Sequence, residues 1–105
     1  MVLVCENPLI EKYLGMVLRR TGREVMILQA DRAIEMLKSG AHQISLLITN
    51  TPAQFRQVAG ELPFLYLSAS PDHKMAATFP NLRVLQKPFS VAELVNAVNE
   101  MTCPS

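Results

Sequence analysis

A few side chains in this chain have the chemistry to do more than fold. Val84–Glu93 reads Val-Leu-Gln-Lys-Pro-Phe-Ser-Val-Ala-Glu and delivers Lys87 at the end of an apolar run. Pro88 turns the chain directly afterwards. Ser90, with Glu93 three positions on, then has the form of a capping box opening a helix. Cys5 and Glu6 close the first apolar run, Asn50 follows the third, and Ser68 ends the fourth. A carboxylate oxygen can hold a divalent cation, an ammonium can neutralise an anion, and a thiolate can act as a nucleophile. Each also has a plainer reading. Lys87 and Glu6 would form a structural ion pair, Ser68 would bond local backbone, Asn50 would be a turn residue with Lys87 in reach, and Cys5 would be a small apolar core residue.

The elements that must position these residues alternate five times between strand and helix. Val2–Cys5 is read as a buried parallel strand, and Asn7-Pro8 opens a helix with apolar positions Ile10, Tyr13, Leu14, Val17 and Leu18. Gly22 stops that helix. Strand two is placed at Glu24–Gln29, carrying the continuous apolar run Val25, Met26, Ile27 and Leu28. Asp31 is read as the cap of helix two, which ends at Gly40, and strand three spans Ile44–Thr49. Thr51-Pro52 with Gln54 suggests a capping box for a helix that must end by Gly60. Strand four spans Pro63–Ser68, Ser70-Pro71 opens a short helix ended by Pro80, and strand five spans Leu82–Gln86. Val91–Met101 is the last helix, with Leu94, Val95, Val98 and Met101 as its core stripe.

Gly22, Gly40 and Gly60 fall just past proposed helices, where a left-handed conformation is often needed. Gly15 lies inside the first helix, at a cost of roughly 1 kcal/mol against alanine. The pattern predicts one α/β domain over residues 1–105, a five-stranded parallel sheet with helices on both faces. In such a sheet, ligands and chemistry collect at the carboxyl ends of the strands.

Composition narrows the function classes. With 105 residues, half of them hydrophobic and 18% charged, the chain can bury a single core. The net charge of +1 comes with no basic tract, so direct nucleic-acid binding is not expected. No apolar run approaches the ~20 residues of a membrane span, and no basic-then-apolar leader opens the sequence. Two cysteines, Cys5 and Cys103, suit a reducing cytoplasm. A bridge between them is not expected, because a strand of ~15 Å separates the two ends of the sheet and a disulfide spans at most ~7 Å. His42 and His73 have no second ligand nearby, and the methionines read as core filler.

The sequence resembles the receiver domain of bacterial two-component response regulators. Lys87-Pro88-Phe89-Ser90 matches that family's closing segment without a gap. Leu67-Ser68-Ala69 looks like its strand-four hydroxyl segment, Val2–Leu9 like its opening, and Leu46–Asn50 like its third strand. The resemblance implies a flavodoxin-like sheet of order 2-1-3-4-5, here with helices three and four shortened. It also implies a site of five parts: an aspartate nucleophile after strand three, two acids for a divalent cation, a hydroxyl and a lysine.

Set on those positions, the site is degenerate. Cys5 stands where the first acid usually is, Glu6 takes the second, and Asn50 replaces the acceptor aspartate. Ser68 and Lys87 keep their places, and Val84 stands where an aromatic switch residue usually sits. Only Asp31 and Asp72 are available as aspartates, and neither lies near the end of strand three. Mg²⁺ binding is expected to be weak or absent, with Glu6 as its one remaining carboxylate and no other cofactor implied.

The reading is therefore a receiver scaffold that is not phosphorylated and acts, without enzymatic activity, as a cytoplasmic protein–protein interaction or regulatory module. Its partner would be a sensor kinase, an output domain or a second copy. By analogy the contact face lies on the fourth helix, fifth strand and fifth helix, through Lys74, Arg83, Gln86, Val91, Val95 and Asn99. No output domain is expected in this stretch, so DNA binding would lie elsewhere. Two alternatives stay open: a conventional phospho-acceptor, and small-ligand or redox sensing through Cys5, Ser68 and Lys87.

Overall fold

The computed structural model describes residues 1–40 and 43–102, with Ala59 described by its backbone alone. Strands β1 (Val2–Cys5), β2 (Val25–Ile27), β3 (Leu46–Thr49), β4 (Phe64–Ser68) and β5 (Leu82–Gln86) form one sheet of order β2-β1-β3-β4-β5. Every pairing is parallel, and Cys5 lies opposite Thr49 while Ser68 lies opposite Gln86. The carboxyl ends of all five strands thereby lie at one end of the sheet. The helices are α1 (Pro8–Arg20), α2 (Ala30–Ser39), α3 (Arg56–Ala59), α4 (His73–Ala76) and α5 (Val91–Thr102).

Alternation along each strand sends neighbouring side chains to opposite faces, so the sheet carries two cores. On one face Val2, Val4, Leu46, Ile48, Leu65 and Leu67 pack against Leu14 and Leu18 of α1 and Leu94 and Val98 of α5. On the other, Leu3, Cys5, Leu47 and Phe64 pack against Ala33 of α2 and Phe55. The continuous apolar runs of β1 and β3 follow from this two-sided cover.

Several local signals are confirmed. Asn7 Oδ1 accepts the Ile10 N–H at 3.1 Å, capping α1 as expected. Ser90 and Glu93 form the reciprocal capping box, with Glu93 N donating to Ser90 Oγ at 3.1 Å and Ser90 N donating to Glu93 Oε1 at 3.2 Å. Ser90→Ala is accordingly expected to lower stability by about 1 kcal/mol in urea denaturation. Gly22, Gly40 and Gly60 all have positive φ. Gly15 has a packing reason invisible in the sequence: a Cβ there would lie 3.1 Å from Ile27 Cδ1, so glycine lets α1 lie close over β2.

Other expectations need correction. Helix α2 begins at Ala30 behind Gln29, and Asp31 lies inside its first turn rather than capping it. A carboxylate in a first turn still meets the positive end of the helix dipole. Thr51 makes no side-chain cap and no capping box with Gln54. Its N–H donates instead to Thr49 Oγ1 at 3.1 Å, and Pro52–Phe55 winds as a 3-10 turn before α3. Helix α4 starts two residues later than Ser70-Pro71 suggests, because Asp72 is its cap and accepts the Met75 N–H at 3.0 Å. Strand β3 begins at Leu46 rather than Ile44. Ile44 lies before the level at which β1 starts, since Ser45 N already donates to Met1 O, at 2.9 Å. Strands β2 and β4 are likewise trimmed at their ends.

Helices α3 and α4 have four residues each, as short as the spacing implied. So short a helix is not stable alone and relies on tertiary contacts. Here these are aromatic: Phe64 meets Phe55 and Phe79 at centroid distances of 6.4 and 5.1 Å, and the Arg56 guanidinium lies 4.5 Å over the Phe79 ring.

Candidate functional site

The ends of β1, β3, β4 and β5 bring Glu6, Asn50, Ser68 and Lys87 to one end of the sheet. Glu6 is the buried member. Its Oε1 accepts the Asn7 N–H at 2.9 Å, and its backbone N–H donates to Glu11 Oε1 at 3.4 Å. The other carboxylate oxygen, Oε2, is buried, makes no hydrogen bond, and lies 3.2 Å from Lys87 Nζ. The Glu6 side chain is fully buried and that of Lys87 is 23% exposed. This is an ion pair in close contact but out of hydrogen-bond alignment. The Lys87 backbone is tied to β4 as well, its N–H donating to Ser68 O at 2.9 Å.

Ser68 follows its plainer reading, with Oγ accepting the Ser70 N–H at 3.1 Å. Asn50 is exposed, and its side chain has no hydrogen-bond partner among the described residues, Lys87 included. Cys5 is buried, and its thiol is pushed above its ordinary value by burial and then by the charges of Glu11, Glu6 and Asp31. A raised value keeps the thiol protonated at neutral pH. Native Cys5 is therefore expected to react with a disulfide reagent far more slowly than the same thiol in urea, with a rate that climbs only at alkaline pH. Cys103 and His42 lie outside the described residues, so the expectations on them stand apart. Among the described residues no group of three His, Cys, Asp or Glu side chains converges on one point.

The expected contact face divides. Lys74, Arg83, Gln86 and Val91 are exposed, Gln86 Nε2 also donating to Ala69 O at 3.3 Å. Val95 is half-buried against the α1–α5 core, and Asn99 Oδ1 accepts from Arg23 Nη2 at 2.7 Å. Arg23 lies between α1 and β2, and Val91, Val95 and Asn99 are spaced at one-turn intervals, so this stripe of α5 turns toward α1. The β5 flank of α5 is marked instead by Glu100, which pairs with Arg83. The sequence gives helical period but not which flank meets which neighbour. Among the methionines, Met26, Met36 and Met101 pack on the cores while Met16 is exposed.

One feature escaped the sequence reading altogether. A hollow of about 380 Å³ opens beside the ion pair, lined by Ile10, Tyr13, Ala69, Lys87, Pro88 and Phe89. The Tyr13 and Phe89 rings form part of it, their centroids 6.4 Å apart. The only advance signal was two aromatic residues placed in elements that leave the strand ends.

No protein-family model matches the sequence, and no curated protein matches it. Solved structures do. A response regulator receiver protein from Sinorhizobium medicae is 25% identical, covering 96% of this chain and 91% of that one, with a TM-score of 0.76. The receiver domain of a sensor histidine kinase from Pseudomonas aeruginosa, determined with a magnesium ion coordinated in its active-site cleft, is 18% identical over 98% of this chain and 97% of that one, at a TM-score of 0.77. A putative response regulator from Chloroflexus aurantiacus is 21% identical over 98% and 97%, at 0.74. The strand order, the helix placement and these matches agree: the chain has the receiver-domain fold of two-component signal transduction.

Proposed function

We propose that this receiver-type domain works without phosphorylation, as a module that binds a protein partner in two-component signalling. The observation that carries the proposal is Asn50, a carboxamide directly after β3, in the place the family gives to its acceptor aspartate. An amide is not ionised and cannot form the acyl phosphate of an aspartyl nucleophile. The two aspartates offer no substitute, because Asp31 lies in the first turn of α2 and Asp72 caps α4.

The magnesium of the Pseudomonas receiver finds a poor counterpart here. Glu6 is the only carboxylate among Cys5, Glu6, Asn50, Ser68 and Lys87, and the Lys87 ammonium already sits 3.2 Å from its free oxygen. A hard dication takes several oxygen ligands and gives up its water reluctantly, so the set does not fit it. The charges that a metal and a phosphoryl group would balance in an active receiver are instead balanced against each other.

A partner would be a sensor kinase, an output domain or a second copy of the chain. Its contact surface would lie on the flank of α4 and β5, through Lys74, Arg83 and Gln86 with the Arg83–Glu100 pair at its centre. Redox sensing through Cys5 is disfavoured by the burial of that thiol, which pushes its pKa up and keeps it protonated. Intact-mass measurement after incubation with acetyl phosphate and Mg²⁺ tests the proposal. The mass is expected to stay unchanged, and a Mg²⁺-dependent gain of one phosphoryl group would overturn the phosphorylation-independent reading.

A further inference from the structure

We propose that the hollow between α1 and the β5–α5 turn is a binding site for a small neutral molecule, with an aromatic or otherwise flat apolar body and one hydrogen-bond acceptor. Three observations carry this. The first is size and place. At about 380 Å³ the hollow falls within the range of small-molecule sites, and it lies at the carboxyl ends of parallel strands where such sites collect.

The second observation is the lining. Ile10, Tyr13, Pro88 and Phe89 supply apolar and aromatic walls, and Ala69 forms a low side. A flat apolar body entering there covers aromatic surface that otherwise faces solvent, which is favourable per unit area. Lys87 is the single charged residue of the wall.

The third observation fixes the charge of the occupant. Lys87 Nζ has three donor hydrogens, yet it makes no hydrogen bond among the described residues. Its one ionic neighbour, Glu6 Oε2, is at 3.2 Å and makes no hydrogen bond either. The pair is neutral as a unit, so it leaves no net positive charge for an anion to satisfy. A carboxylate entering beside Lys87 would also meet Glu6, and Glu11 adds a second negative charge close to Glu6. A cation would meet Lys87 itself. A carbonyl or ether oxygen accepts from Lys87 without disturbing the pair. Neutral and acceptor-bearing is the chemistry that remains.

Exposed Leu9 and Val91 flank the lining residues Ile10 and Phe89, at 83% and 47% exposure. A protein side chain seated on these exposed apolar neighbours is the competing occupant. The experiment separates the two. The full chain is titrated with acetophenone, benzoate and ethylbenzene, which share a ring and differ in acceptor and charge, and is followed by amide and methyl NMR.

Acetophenone is expected to give saturable shifts centred on Ile10, Tyr13, Ala69 and Phe89. Ethylbenzene and benzoate are expected to bind about tenfold more weakly, the factor that a hydrogen bond to a charged donor supplies. The double variant Glu6→Gln/Lys87→Met removes both charges together and should erase the preference for acetophenone over ethylbenzene. Ala69→Leu, which fills the hollow from its exposed side, should abolish binding of all three probes while leaving the fold intact. Absence of saturation, equal affinity for acetophenone and ethylbenzene, or shifts confined to Leu9 and Val91 would each overturn the proposal. The last outcome would place the probe on the exposed apolar residues outside the hollow. None of these outcomes bears on whether Asn50 can be phosphorylated.

Discussion

Lys87→Met is expected to destabilise the domain by about 3 kcal/mol in urea denaturation at neutral pH, near the lower end for breaking a buried ion pair. The reason lies with the partner left behind. The Glu6 side chain is fully buried, and without Lys87 its Oε2 has neither a counter-charge nor a hydrogen bond. Lys87 itself is 23% exposed and could be hydrated if Glu6 were removed, so Glu6→Gln should cost less. Removing both charges in Glu6→Gln/Lys87→Met should recover much of the loss, since well-packed neutral groups often replace a buried pair at little cost. A double-mutant cycle reads the coupling directly. If Lys87→Met proves as stable as the parent, the pair is not what holds the strand ends together.

Asn50→Asp is expected to change the chemistry rather than the fold. Glu6 and Asn50 each follow one residue of the register pair Cys5 and Thr49, on neighbouring strands spaced about 4.8 Å apart. A carboxylate at position 50 would leave the same end of the sheet as Glu6, from the neighbouring strand, and be exposed enough to be reached. Two adjacent carboxylates should bind Mg²⁺ with an affinity on the order of millimolar, the weak end for oxygen-ligated dications. The variant should also gain the mass of a phosphoryl group from acetyl phosphate in a Mg²⁺-dependent manner, where the parent does not. An inert variant would show that position 50 is not aligned with the family's acceptor.

The parts of this fold that were legible in the sequence are those specified by local chemistry. Asn7-Pro8, Gly22, Ser90 with Glu93, and the continuous apolar runs of β1 and β3 each act within a few residues, and each did what its spacing implied. The Lys87–Glu6 pair was legible too, because a parallel sheet brings consecutive strand ends to one edge. What the sequence hid was set by tertiary contacts. Thr51 carries a cap-like signal, yet Thr49 captures its N–H and the following turn tightens to 3-10. Helices α3 and α4 are held by Phe55, Phe64, Phe79 and Arg56 rather than by propensity. The neighbours that α5 meets on each flank are likewise set by tertiary contacts. Periodicity groups Val91, Val95 and Asn99 correctly, but only Arg23 and Arg83 reveal which neighbour each flank of the helix meets. The hollow beside Lys87 needs α1 and the β5–α5 turn in register, and no stretch of sequence contains it.

The most direct test of the central claim is an amide NMR titration of the unmodified chain, first with Mg²⁺ and then with beryllofluoride as a phosphoryl mimic. A site in which Glu6, the one carboxylate at the family's five positions, is already paired with Lys87, and whose acceptor is an amide, predicts no saturable shift at Asn50, Ser68 or Lys87 in either step. A saturable Mg²⁺-dependent shift at these three residues would contradict the account, because it would mean that the strand ends still assemble a metal and phosphoryl site.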